Sequence, residues 1–159
     1  MLYIDDVSIL VSNKKITQNT RMLEDVARTA FEWAQNNVIT FDDSKSELIH
    51  FENTHRITNE SVRLTNSTTV HATENVKWLR IWFDRKLRFN THVKRKKTSM
   101  LRAFNVIQTL SNSERGLTRG AMRQLCISTV FSVSDYGSEV WFRNQSNFVK
   151  EMQTVQNKR

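Results

Sequence analysis

The spacing of apolar residues changes near residues 84–90, and this change constrains the fold. Before it, polar turn segments separate short runs rich in β-branched and aromatic residues, a pattern typical of strands. These runs cover 38–41, 47–51, 61–64, 68–71 and 76–83. After it, apolar residues recur every three or four positions, as in amphipathic helices. The pattern predicts an α+β chain, in which a small antiparallel sheet carries one packed helix and precedes a mainly helical part.

Four helices are expected in all. The first covers about 18–36, before the strands, and ends at a pair of asparagines. Asn90 is a good N-cap residue, and the apolar positions after it predict a second helix that ends near 111–112. A third is expected to begin near Thr118, and a fourth to cover 145–155.

The net charge of +8 is unevenly distributed along the chain. Residues 1–60 carry six Lys or Arg against ten Asp or Glu, whereas residues 61–159 carry eighteen against six. This asymmetry predicts an acidic part and a basic part that meets a polyanion such as nucleic acid. No repeat or low-complexity linker marks a boundary, so the division is placed where the spacing changes, between 1–87 and 88–159.

The composition excludes several classes of protein. A single cysteine, Cys126, rules out an internal disulfide, and the four scattered histidines show no zinc-ligand spacing. No apolar stretch approaches the roughly 20 residues that cross a bilayer. Asp5 and Asp6 stand where a signal peptide needs an uninterrupted apolar region. We therefore expect an intracellular protein with no membrane partner.

Asp5 and Asp6 are adjacent acids between short stretches of strand-forming residues. Asp tolerates turn geometry, so this segment is expected to be the tip of a β-hairpin. Carboxylates at such a tip can hold a hard cation such as Mg²⁺, which nucleotidyl-transfer sites place between protein carboxylates and a substrate phosphate. Most Asp pairs of this kind are solvated turns without a ligand, so a metal site needs support from the rest of the chain.

Four blocks resemble, in the same order, blocks of the reverse transcriptases of LINE-type (non-LTR) retrotransposons. Tyr-Ile-Asp-Asp at 3–6 is similar to their active-site motif, and the segment 41–51 to the block that follows it. The segment 76–87 resembles the block that ends the palm, and Asp-Tyr-Gly-Ser-Glu-Val-Trp at 135–141 resembles a thumb signature. The resemblance covers nearly the whole chain. It implies that the first region is the C-terminal part of a polymerase palm and the second a helical thumb.

The family extends a DNA primer on an RNA template, using dNTPs and Mg²⁺. The resemblance implies that Asp5 and Asp6 bind the metal together with a third carboxylate from an earlier palm strand. That strand and the fingers would precede residue 3, so we expect a missing upstream segment and no activity from the isolated chain. Action in the nucleus is also implied, because such elements insert into chromosomal DNA.

Lys45 matches the lysine of the block after the active site. By resemblance it lies near the triphosphate and protonates the departing pyrophosphate. On the local sequence alone, a solvated turn lysine is the alternative.

The segment 77–82 is expected to form a β-turn-β unit, which the resemblance places against the primer with Lys77 on its backbone. Arg80 stands where the family usually has glycine, a residue that adopts a left-handed backbone without strain. Arg80 therefore either contacts a phosphate or marks degeneration of the site. Trp78 and Trp82 are expected on one face of a strand, as core residues.

Lys94, Arg95, Lys96 and Lys97 form the densest basic cluster. Apolar residues on the opposite face predict a helix that packs inward and presents these cations to a nucleic-acid backbone. A plain solvated charged face is the alternative.

Tyr136, Gly137 and Trp141 are expected to pack the thumb, and Cys126 to be a small core residue. Two hypotheses compete with the polymerase fragment. One is a non-catalytic nucleic-acid-binding remnant. The other is a decayed retrotransposon product that does not fold stably, because its sheet has lost neighbouring strands and exposes its edges.

Overall fold

A computed structural model gives the structure of the protein, which is mixed α+β as predicted. It describes residues 2–3, 6–52, 59–65, 67–110, 116–142, 150 and 153–154. The chain divides into two compact units, residues 1–76 and 77–159. The proposed division into palm and thumb at 87/88 stays a prediction.

Unit one begins with a two-stranded hairpin. Strands β1 (Leu2–Tyr3) and β2 (Asp6–Val7) are antiparallel, and Tyr3 lies opposite Asp6. The expected hairpin at the front of the chain is therefore confirmed. Asp6 is the first residue of β2 and its side chain is exposed, whereas Asp5 lies outside the described residues.

Helix α1 (Ile16–Asn36) follows the hairpin, and its existence was predicted from the apolar spacing. Ala27 and Ala34, one heptad apart, are both buried on it. Seven residues make nearly two helical turns, so these side chains lie on one face. The expected stop also holds, because the Asn37 side-chain amide donates to the Trp33 carbonyl at 2.8 Å and satisfies an acceptor of the last turn.

Strands β3 (Val62–Arg63) and β4 (Thr69–Val70) form a second antiparallel pair, and β3 packs on α1. The backbone N–H of Arg63 donates to the Glu24 carboxylate of α1 at 3.1 Å. The single predicted sheet is wrong, since the described strands form three separate two-stranded sheets.

Two of the predicted strands are not strands. At 38–41, Val38 takes a left-handed φ of 57°, which breaks an extended run, and the chain continues into a 3₁₀ turn (Asp43–Lys45). At 47–51, Leu48 forms an isolated parallel bridge with Ala72.

Unit two begins within the β-hairpin of β5 (Asn75–Trp78) and β6 (Ile81–Asp84), which confirms the expected β-turn-β segment. Trp78 and Trp82 lie in different strands, so the expectation that they share one face of a strand is wrong. The turn at Leu79 and Arg80 reverses the chain between them.

Helix α2 (Asn90–Thr109) follows, and its N-cap is Phe89 rather than the predicted Asn90. Phe89 takes a φ of 57° and no side chain caps the helix. Instead, the Asp84 carboxylate accepts backbone N–H bonds from Lys86, Arg88 and Phe89, which fixes the connection into the helix.

Three consecutive helical segments form a rod in the second half of unit two. It consists of α3 (Arg119–Leu125), a π-helix (Cys126–Phe131) and α4 (Ser132–Asp135), after which Gly137 turns the chain into α5 (Ser138–Trp141). The predicted start near Thr118 is confirmed, since the Thr118 hydroxyl accepts the Ala121 N–H as an N-cap. Most of the predicted helix at 145–155 lies outside the described residues.

The core of unit two has two apolar clusters. The first joins the hairpin, the start of α2 and α5 through Ile81, Phe89, Val93 and Trp141. The second joins α2 to the rod through Met100, Ile107 and Val130, with Cys126 packed against it as expected. In the part of the chain that the structure describes, no helix has the length and apolar character to span a bilayer.

Candidate nucleic-acid interface

Asp6, one of the two candidate metal ligands, lies in the hairpin of unit one. Asp6 offers, from an exposed strand position, the carboxylate oxygens that Mg²⁺ takes, so the donor chemistry fits this ion. Asp5 and any geometry of the pair lie outside the described residues. Within the described ranges, no three His, Cys, Asp or Glu side chains come together as a complete metal site.

Lys45 is held in an exposed ion pair. Its ammonium lies 2.7 Å from a carboxylate oxygen of Asp42, and Ser44 donates to the other oxygen at 2.5 Å. The hydrogen bond with Asp42 raises the pKa of Lys45, and the same bond lowers the pKa of Asp42. Lys45 therefore remains protonated and directed along its own turn.

A pocket of about 320 Å³ lies beside this turn, between the end of α1 and the segment 39–43. Phe31 and Phe41 meet there edge to face, with ring centres 5.6 Å apart. Asp43 lines the pocket, and its carboxylate accepts the Thr68 hydroxyl. Ile39 and Phe41, which contributed to the predicted strand at 38–41, instead line this pocket, which was not predicted from the sequence.

The β5–β6 turn in unit two has an unusual backbone. Leu79 and Arg80 have φ values of 46° and 63°, both in the left-handed region. Two successive positive φ values are characteristic of tight hairpin turns that normally contain Asn-Gly. Arg80 therefore adopts the left-handed conformation that glycine adopts without strain, and its side chain is exposed.

The expected structural residues fix this turn. The Tyr136 hydroxyl donates to the Leu79 carbonyl at 3.1 Å, and the Trp141 indole N–H donates to the Tyr136 carbonyl at 3.1 Å. Gly137 has a φ of 66°, and a Cβ at this position would lie 2.7 Å from the Cδ1 of Ile81. The packing role predicted for Tyr136, Gly137 and Trp141 is confirmed.

His92 joins the hairpin to α2, a role that was not predicted from the sequence. Its side chain is 1% exposed, its Nδ1 accepts the Trp82 backbone N–H at 3.2 Å, and its ring lies 5.3 Å from that of Trp141. Burial, followed by the positive charge of Lys96, lowers the pKa of His92 to about 4. Its position next to Val93, on the apolar side of α2, is the sequence feature that could have identified His92 as buried.

The predicted basic cluster does not form a uniform charged face. Lys94 and Arg95 are exposed, and the guanidinium of Arg95 lies 4.0 Å from the ring centre of Trp82. The Lys96 ammonium instead donates to the Val133 carbonyl at 2.7 Å, and Lys97 is half-buried. Lys96 is therefore engaged within the fold.

Lys77 completes the set of predicted contact residues, as an exposed residue of β5. Unit two carries seventeen Lys or Arg against five Asp or Glu. Arg80, Lys94 and Arg95 have no acidic partner among the described residues. This part of the surface thus combines positive charge, a stacked arginine and a strained turn.

No protein-family model, curated protein or solved structure matches the chain.

Proposed function

We propose that the chain is the C-terminal palm and thumb portion of a LINE-type reverse transcriptase, which extends a DNA primer on an RNA template. The main support is the order of its parts. The hairpin that contains Asp6 precedes an amphipathic helix, a turn that carries Lys45, and the β5–β6 hairpin, which a basic helix follows. This order agrees with the order of the four resembling sequence blocks.

In the proposed reaction, the primer 3′-hydroxyl attacks the α-phosphorus of a dNTP and pyrophosphate leaves. Asp5, Asp6 and a third carboxylate from an upstream palm segment would hold Mg²⁺, which would supply activation of the hydroxyl and neutralisation of the triphosphate charge. Lys45, which Asp42 keeps protonated, donates a proton to the pyrophosphate.

The remaining candidate residues bind the primer and template. Lys77, Arg80, Lys94, Arg95 and Lys97 contact the backbone, without reading bases. Lys96 is held within the fold by the Val133 carbonyl. The proposed site of action is the nucleus, where chromosomal DNA supplies the primer.

Primer extension tests the proposal. The chain is joined to an upstream palm and fingers segment of a LINE-type enzyme and assayed with RNA template, DNA primer, dNTPs and Mg²⁺. Extension is expected, and Asp5→Asn with Asp6→Asn should abolish it. Asp25→Asn, which changes an exposed carboxylate on α1, is the matched control. Activity that survives loss of both Asp5 and Asp6 contradicts the assigned metal role.

A second candidate function, a nucleic-acid-binding remnant without catalysis, is favoured by the charge of unit two. Binding of nucleic acid by the chain together with no extension by the joined enzyme would support it. The decayed-product hypothesis predicts instead that thermal unfolding of the chain shows no cooperative transition.

A further inference from the structure

We propose that the β5–β6 turn and the adjoining face of α2 form a preorganised phosphate-binding site for a nucleic-acid backbone, in which Arg80 and Arg95 each bind one phosphate. This site rests on the proposed function, because it requires that unit two binds nucleic acid. It also separates the cluster 94–97 into binding and structural residues.

Arg95 has the geometry of a fixed phosphate ligand. Its guanidinium lies over the Trp82 ring at 4.0 Å, so one face is stacked and the edge with its five N–H donors remains available. That edge matches two oxygens of a phosphate. The platform itself is fixed, because the Trp82 backbone donates to the buried His92.

Arg80 is presented by a turn that a glycine would form with less strain. Its φ of 63° is unfavourable for a residue with a Cβ, and the side chain is exposed without an acidic partner among the described residues. The hydrogen bond from Tyr136 to Leu79 holds the turn in this conformation. Strain retained at an exposed arginine points to a role for the side chain.

Lys96 supports this site from within the fold. Its ammonium donates to the Val133 carbonyl and lies 5.0 Å from the ring centre of Tyr136. Burial, followed by the positive charge of Arg80, lowers the pKa of Lys96. Two cations thus lie near each other, and a phosphate bound at Arg80 would reduce their repulsion. Lys96 is a positioning residue and contacts no phosphate.

The salt dependence of binding tests this assignment. A fluorescently labelled RNA–DNA hybrid is titrated with the full chain at several NaCl concentrations, and log K is plotted against log salt concentration. Removing one cation that neutralises a duplex phosphate reduces the magnitude of the slope by about 0.9. We expect this reduction for Arg80→Gly and for Arg95→Ala. Lys96→Met should leave the slope unchanged and lower the thermal midpoint.

Arg123→Ala is the charge-matched control, since Arg123 is an exposed cation on α3 outside the proposed site. Its slope should equal that of the original chain. Arg80→Gly also distinguishes loss of a contact from unfolding. It removes the backbone strain of the turn, so it should raise the thermal midpoint although it weakens binding.

The stacked arrangement has its own test. Trp82→Leu removes the platform and keeps every charge, so binding should weaken by about two- to fivefold with the slope unchanged. Trp82→Phe restores an aromatic face and should recover most of the affinity. Arg95→Lys keeps the charge without the planar fork and should resemble Trp82→Leu.

Three results would overturn the inference. They are an unchanged slope in Arg80→Gly and Arg95→Ala, an equal reduction of the slope in Lys96→Met or Arg123→Ala, or no salt-dependent binding by the original chain. Primer extension by the joined enzyme is scored separately. Extension together with unchanged slopes rejects only the phosphate site, whereas the expected slopes without extension reject only the polymerase.

Discussion

The phenol of Tyr136 donates a hydrogen bond to the carbonyl of Leu79, a residue 57 positions earlier in the chain. Leu79 is the first left-handed residue of the β5–β6 turn, so the bond joins this hairpin to the segment that follows α4. Tyr136→Phe should lower the free energy of unfolding by about 1 kcal/mol, the usual net value of one hydrogen bond. Urea unfolding measures this change. A decrease below a few tenths of a kcal/mol would show that the bond does not hold the turn.

Arg80→Gly should stabilise the protein. A left-handed backbone costs a residue with a Cβ roughly 1–2 kcal/mol, so glycine at φ 63° should raise the free energy of unfolding by about 1 kcal/mol. The matched control is Lys94→Gly in helix α2, where glycine should lower it by about 1 kcal/mol. Thermal unfolding followed by circular dichroism distinguishes the two signs. A destabilised Arg80→Gly variant would mean that the arginine side chain holds the turn together.

Gly137→Ala should be strongly destabilising. The added Cβ would lie 2.7 Å from the Ile81 side chain, and alanine would also adopt the left-handed φ of 66°. Together these effects should cost about 2–4 kcal/mol. Gly120→Ala is the control, since a Cβ there meets no atom within 4 Å and lies inside helix α3. Equal stabilities of the two variants would contradict the close approach at Gly137.

Stability should fall in mild acid because of His92. Its pKa is about 4 in the folded state and about 6.5 in the unfolded chain, so the unfolded state binds the extra proton first as the pH decreases. The free energy of unfolding is therefore highest above pH 6.5, and it decreases by about 3 kcal/mol in all as the pH falls from 6.5 to 4. Urea unfolding at a series of pH values should show this decrease. The positive charge of Lys96 enlarges it, because this charge also lowers the pKa of His92.

His92→Asn should flatten that pH profile, because the amide oxygen can accept the Trp82 N–H but does not titrate. His71→Asn, at an exposed histidine, should leave the profile unchanged. A profile that persists in His92→Asn would assign the acid sensitivity to another group.

Asp42→Asn should shift the titration of Lys45 alone. Loss of the hydrogen-bonded carboxylate removes the cause that raises the pKa of Lys45, so that pKa should fall towards 10.5, its usual value. NMR titration of the lysine side-chain signals measures the change. Because the pair is exposed, unfolding stability should change little. In the joined polymerase, the same variant should slow extension more at high pH than at neutral pH.

Sequence alone predicted the long helices well and the sheet poorly. The apolar stripes of α1 and α2 extend over many turns, so their spacing identifies them before any tertiary contact is known. The described strands have two to four residues, and such short runs carry little periodicity. Val38 is an example. Its β-branched side chain favoured a strand, but its φ of 57° ends the extended backbone there.

The candidate interface was predictable in composition and unpredictable in geometry. The excess of cations in the second half is visible in the sequence, and so is the arginine at position 80. Which cation faces outward depends on contacts made through the hairpin turn. Lys96 and Arg95 are adjacent in sequence, yet one donates to Val133 and the other stacks on Trp82.

The π-helix at 126–131 bears on how the chain tolerates changes in length. A π-helical turn accommodates one residue more than an α-helical turn, without rotating the α-helices on either side. Deleting one exposed residue there, Ser128 or Thr129, should regularise the rod and leave the Val133 carbonyl against Lys96. The same deletion in α3 would turn everything after it by about 100°. A one-residue shortening of the gene product is therefore neutral at one point of this rod and disruptive a single turn earlier.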